Sequence, residues 1–176
     1  MKRTFAILLL SLGIASAQRL EFAPGGTVKV EKADGNLYVE AWDQPAVEIV
    51  GADVKTHRDG NALTVSTPSS KHDEFTIRVP RDSKLEIHHG SGYVLVTGVA
   101  GDIEADAKRG DIVLMVPESQ KYSVDAKVKL GNVMSDEIGT THTRYLIGEN
   151  FLSTTDPAHK LTLRMGIGGI TIKALP

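Results

Sequence analysis

The chain of 176 residues contains no cysteine. Disulfides, thiolate metal sites and a lipid-bearing cysteine are therefore excluded as sources of stability or anchoring. Aromatic residues make up only 5%, with a single tryptophan, Trp42, so any core must be built from aliphatic side chains. Neither sign of charge dominates: 20 Lys and Arg stand against 22 Asp and Glu. Nucleic-acid-binding surfaces carry a basic excess to neutralise phosphates, and this chain does not, so nucleic acid is not expected as a partner. No stretch carries helical periodicity over a useful length. Only one long apolar run exists, Phe5 to Ile14, and it falls short of the ~20 residues needed to span a bilayer.

That run has the parts of a secretory signal peptide. Lys2 and Arg3 precede it, and Ala15-Ser16-Ala17 supplies the small residues of a cleavage site. Residues 1–17 are therefore expected to be removed, with the mature chain starting at Gln18. Lys2-Arg3 is not a twin-arginine pair. The expected product is exported, periplasmic or extracellular, with no stable membrane insertion after cleavage. No linker or low-complexity segment interrupts residues 18–176, which read as one domain.

What the chain does have is valine, isoleucine, threonine and glycine in short alternating runs. Leu37, Val39 and Ala41 alternate with Tyr38, Glu40 and Trp42; Phe75, Ile77 and Val79 with Thr76 and Arg78; Leu161, Leu163 and Met165 with Thr162 and Arg164. Successive side chains on a strand point to opposite faces, so each run predicts a strand with one dry face. Asp34-Gly35 and Asp59-Gly60 are tight-turn signals. Pro45, Pro80 and Pro117 fall at strand ends, where a missing N–H does least harm.

The glycines recur with a pattern behind them. Gly35, Gly92, Gly101, Gly110, Gly131 and Gly168 are each followed two residues on by an aliphatic: Leu37, Val94, Ile103, Ile112, Val133 and Ile170. Two residues further come Val39, Val96, Ala105, Leu114, Ser135 and Ile172, of which Ser135 fits least well. The unit is a corner plus a short strand with two inward side chains. Gly92, Gly101 and Gly110 are nine residues apart, and two such steps would make one coil of a flattened stack. The fold expected is all-β, a β-solenoid of stacked short strands, with an antiparallel β-sandwich as the alternative.

Three stretches, "GNLYVEAWDQPAVEIV", "GSGYVLVTGVAGDIEADAKRGDIVL" and "LTLRMGIGGITIKAL", resemble in their order a bacterial putative-adhesin domain family of unknown function, related to auto-transporter adhesin head (GIN) domains. The resemblance implies a right-handed β-helix-like or related all-β fold and supplies no catalytic residues. Residues 135–160 fit the pattern poorly and read as an irregular loop or insertion.

The sequence offers no catalytic, cofactor-binding or metal-binding residue. His88-His89 is the closest histidine pair, but neighbours on a strand face opposite ways, and no zinc-type spacing accompanies them. Asp102 and Asp111 directly follow corner glycines, where turn chemistry already explains an aspartate; with Asp106 they form the one set of carboxylates a polysaccharide-cleaving site could use. Ser91 lacks a nucleophile-elbow context, and "GIGG" lacks the strand-to-helix setting of a phosphate loop. Trp42 either covers a core edge or stacks on a sugar. Lys84, Glu86, Glu104, Lys127 and Lys129 read as mainly solvated surface. The function expected is therefore an exported, non-catalytic, adhesin-like binding or structural domain. Its partner is unknown, with an envelope glycan or protein in view, and no cofactor is expected. The alternatives are a polysaccharide-active enzyme using surface carboxylates and a self-assembling scaffold pairing through strand 170–173.

Overall fold

The computed structural model describes residues 17–51, 54–67, 73–117, 122–135, 141–144, 148–152 and 158–175. The leader over 1–16 lies outside the described residues. The alternating runs form twelve strands, and no helix occurs among the described residues. In chain order the strands are β1 (Ala17–Glu21), β2 (Thr27–Trp42), β3 (Ala46–Val50), β4 (Lys55–Asp59), β5 (Ala62–Ser66), β6 (Asp73–Pro80), β7 (Lys84–Thr97), β8 (Ile103–Val116), β9 (Tyr122–Ser135), β10 (Thr141–Arg144), β11 (Glu149–Leu152) and β12 (His159–Ala174).

Five long strands form the centre and pair in parallel in the order β2-β7-β8-β12-β9. Beyond β2, β6 continues the parallel set and β3 and β1 add on by antiparallel pairing; beyond β9, β11 and β10 add on in the same antiparallel way. The sheet does not close on itself. On its outer edge β2 has two different neighbours. Thr27–Glu31 pairs with β5, and Gly35–Trp42 pairs with β6.

Each long strand bends at a glycine, and the burial pattern records the bend. His89 and Val94 are both buried, as are Ala107 and Ile112, Met165 and Ile170, and Val128 and Val133. Residues five apart on a straight strand face opposite sides, so the strand must turn over between them. The turning residues are Gly35, Gly92, Gly110, Gly168 and Gly131, stacked in register and all with positive φ.

This arrangement revises the sequence reading in four respects. Gly101 does not belong to the column; it lies in the connection between β7 and β8, so two kinds of corner alternate. Between β7 and β8 the register offset is 18 residues, as at His88 and Asp106, which equals two of the nine-residue steps. Asp34-Gly35 makes no hairpin: it bends β2 internally, whereas Asp59-Gly60 does join the hairpin of β4 and β5. The last strand is not at an edge: Ile170, Thr171 and Ile172 pair with Ile112, Val113 and Leu114 on one side and with Val133, Met134 and Ser135 on the other. Its backbone groups are already satisfied, so strand 170–173 cannot recruit another copy by edge pairing. Finally, the poorly fitting 135–160 stretch contains the hairpin β10–β11, with β11 docked on β9. Residues 136–140, 145–147 and 153–157 lie outside the described residues.

The core follows from the register. Val28, Leu85, Ile103, Leu161 and Val124 form one buried column across the five strands, and Leu37, Val94, Ile112, Ile170 and Val133 form another. Both belong to a single apolar cluster. Val94, Ile103 and Ile112 are therefore buried strand residues, as the alternation requires.

Candidate functional site

Register also organises the outer face. Ahead of the glycine column, the outward side chains of the long strands fall into rows. One row runs His88, Asp106, Arg164, Lys127 from β7 to β9. In the next row Gly90 and Gly166 alternate with Lys108 and Lys129. A Cβ on Gly166 would lie 2.3 Å from the Lys108 carbonyl oxygen, so the backbones approach closely and no side chain fills that place. The result is a notch of about 380 Å³ whose rim includes Asp106, Lys108, Lys127, Lys129 and Arg164. A second hollow of about 330 Å³ at Gly90 shares Asp106 and Lys108 and adds Lys32, Asp34 and His88.

The charges around the Gly166 notch are unequally compensated. Arg164 is held by Asp125, Nη1 donating at 3.0 Å and Nη2 at 2.5 Å, and Nη1 also donates to the Asp125 carbonyl at 2.8 Å. Asp106 is hydrogen-bonded to Nδ1 of His88. Among the described residues Lys108, Lys127 and Lys129 form no ion pair. Beyond the notch the next row carries Arg109, Ile167 and Leu130 in register, and Ile167 and Leu130 are 43% and 45% exposed.

The carboxylates weighed in the sequence are strung along one strand and its preceding corner. Asp102 Oδ1 accepts the Lys160 N–H at 3.1 Å, and its carboxylate lies 3.5 Å from Lys84 Nζ. Asp111 Oδ1 accepts the Gly169 N–H at 3.0 Å, tying one bend to the next. Asp34 does the same for Ser91, accepting its N–H at 2.8 Å and its hydroxyl at 3.1 Å. At the strand rise of ~3.3 Å per residue, Asp102 and Asp106 lie about 13 Å apart along β8. They do not face one another as an acid–base pair. Glu149, which the sequence reading missed, is buried and accepts the Val133 N–H at 2.8 Å, on the side of β9 that β11 leaves unpaired. Its place in the poorly patterned stretch hid it.

The histidine pair splits between faces. His88 is outside with Asp106, while His89 is 2% exposed between Ala33 and Ala107, and among the described residues neither ring nitrogen has a hydrogen-bond partner. Burial lowers its pKa, against the opposing pull of the Asp34 carboxylate and the Gly35 backbone. Trp42 closes the β2–β3 turn: its indole N–H donates to the Ala46 carbonyl at 2.8 Å, and the Arg19 guanidinium lies 5.1 Å over its ring. Beside it Arg81 grips Asp43 at 2.6 Å and holds that carboxyl below the usual carboxylate range.

No protein-family model and no curated protein matches the chain. Its fold is similar to that of a solved "putative cell adhesion protein" from Clostridium sporogenes, with a TM-score of 0.59 at 12% identity over 91% of this chain and 99% of that one. A "putative adhesin" from Bacteroides fragilis aligns over 89% and 96%, at 13% identity and a TM-score of 0.30.

Proposed function

We propose that this chain is an exported, non-catalytic β-solenoid domain, freed of residues 1–17, that presents its ridged outer face as an adhesin-like binding surface at the cell envelope. The observation that carries the reading is the parallel, in-register stack of five bent strands, which fixes outward side chains in rows one strand spacing apart. A rigid face of this kind suits an extended partner. The fold likeness to the Clostridium sporogenes protein supports it. So does the placement of Asp102, Asp106 and Asp111, each occupied with a backbone N–H or a histidine.

The test combines location with activity. Cell fractionation of the intact chain should find it outside the cytoplasm, and deletion of 1–17 should retain it inside. The purified protein should bind a fraction of isolated envelope material saturably and release no reducing sugar from it. Sugar release that Asp102→Asn, Asp106→Asn or Asp111→Asn abolishes would establish the enzyme reading instead.

A further inference from the structure

We propose that the Gly166 notch binds the acid groups of an anionic polysaccharide laid across the strands; this rests on the binding reading above and names its ligand class. Shape is the first argument. The notch is a concave gap one side chain wide, and its volume of about 380 Å³ falls within the ~300–1,000 Å³ of small-ligand clefts. Charge is the second. Three ammonium groups with no ion-pair partner among the described residues, those of Lys108, Lys127 and Lys129, surround it on a chain whose formal net charge is −2. The nearby Arg164 and Asp106 are already matched to Asp125 and His88.

Spread favours a polymer. Lys108 and Lys129 stand on β8 and β9 with β12 between them, so their α-carbons are about 10 Å apart at the ~4.8 Å strand separation. Lys127 lies two residues before Lys129 on β9, so the three cations are spread both along and across the strands and can meet successive acid groups of one chain. Ile167 and Leu130, exposed on the adjoining row, offer apolar contact to the C–H faces of sugar rings. A flat bilayer does not enter a concave notch. Single-stranded nucleic acid seeks aromatic stacking platforms, and no aromatic side chain lines this one. Ammonium groups act as point charges and take carboxylate and sulfate alike.

The experiment uses the protein expressed with its leader and purified. Its probes are polygalacturonate, dextran sulfate, neutral dextran, phosphatidylglycerol vesicles and an oligothymidylate. Binding to one or both acidic polymers is expected, falling as salt rises, with none to dextran. The triple variant Lys108→Gln/Lys127→Gln/Lys129→Gln should bind at least tenfold more weakly with a shallower salt dependence. The corresponding triple arginine variant should retain binding, and Lys173→Gln, on the far half of β12, should match the parent. Thermal melting of all variants should be unchanged, because the three lysines are exposed. Which acidic polymer binds more tightly separates carboxylate from sulfate as the recognised group. The assignment is overturned if the triple glutamine variant binds like the parent, if Lys173→Gln loses as much, or if vesicles or oligothymidylate are preferred with the same lysine dependence. Binding of another envelope component, unaffected by the triple variant, would remove this ligand class and leave the binding reading standing. Failure to bind any envelope material would remove both.

Discussion

A methyl group on Gly110 would sit 1.8 Å from the Gly92 carbonyl oxygen, at a backbone φ of 121°. Neither the clash nor the dihedral can be relieved by a side-chain rotation. Gly110→Ala should therefore cost at least ~1–3 kcal/mol from backbone strain, with the steric overlap adding to it. Gly60 also has positive φ, but nothing lies within 4 Å of its would-be Cβ, so Gly60→Asn should be nearly neutral. Urea unfolding of the two variants separates close approach from conformational freedom. His89 gives the second residue-scale prediction. Its pKa in the folded state lies below the unfolded value of about 6.5, because burial disfavours the imidazolium. The unfolded chain then takes up the proton first. Stability is full above about pH 6.5 and falls as the pH drops below it. Thermal melts of His89→Leu should show a smaller loss between pH 6.5 and 5 than the parent, since the variant removes the buried group that the unfolded chain protonates first.

At the scale of the element, β12 shows why some of the fold was legible and some was not. Its alternation is written in Leu161, Leu163 and Met165, and the shift after Gly168 in Ile170 and Ile172. Local features of this kind announce a strand and its corner without reference to the rest of the chain. Pairing partners are not local. Nothing in residues 159–174 says that β8 and β9 flank them, so the notion of a free end strand at 170–173 was a reasonable expectation that the register overturns. The lysine rim of the Gly166 notch was hidden for the same reason: Lys108 and Lys129 become neighbours of one gap only once three strands are aligned. His88 and His89 could be assigned to opposite faces from adjacency alone, but which face was inside depended on Ala33 and Ala107 making room. The interior position of β12 is testable. Ile170→Lys places a charge in the core and should prevent folding, while Thr171→Lys, on the outer face between Val113 and Met134, should leave a cooperative melt. Circular dichroism melts of the two adjacent substitutions check this directly.

For the molecule as a whole, the stacking order β8-β12-β9 departs from the chain order. A stack laid down in sequence could lose its final unit and keep the others, because each unit touches only its neighbours. Here removal of 159–176 would take out the strand that joins β9, β10 and β11 to β8. That truncation should expose apolar faces on both sides of the gap and yield an aggregating or protease-sensitive product. Limited proteolysis should show no stable fragment ending near residue 135, as simple end-trimming would leave. The same ordering bears on how the chain matures. In a chain delivered N-terminus first across the membrane, β9 arrives before the strand that belongs beside it, so a vacant slot one strand wide must wait until residues 159–174 follow. Such late, long-range insertion is intrinsically slow, and until it happens the half-built sheet is a target for helper proteins that hold unfinished chains.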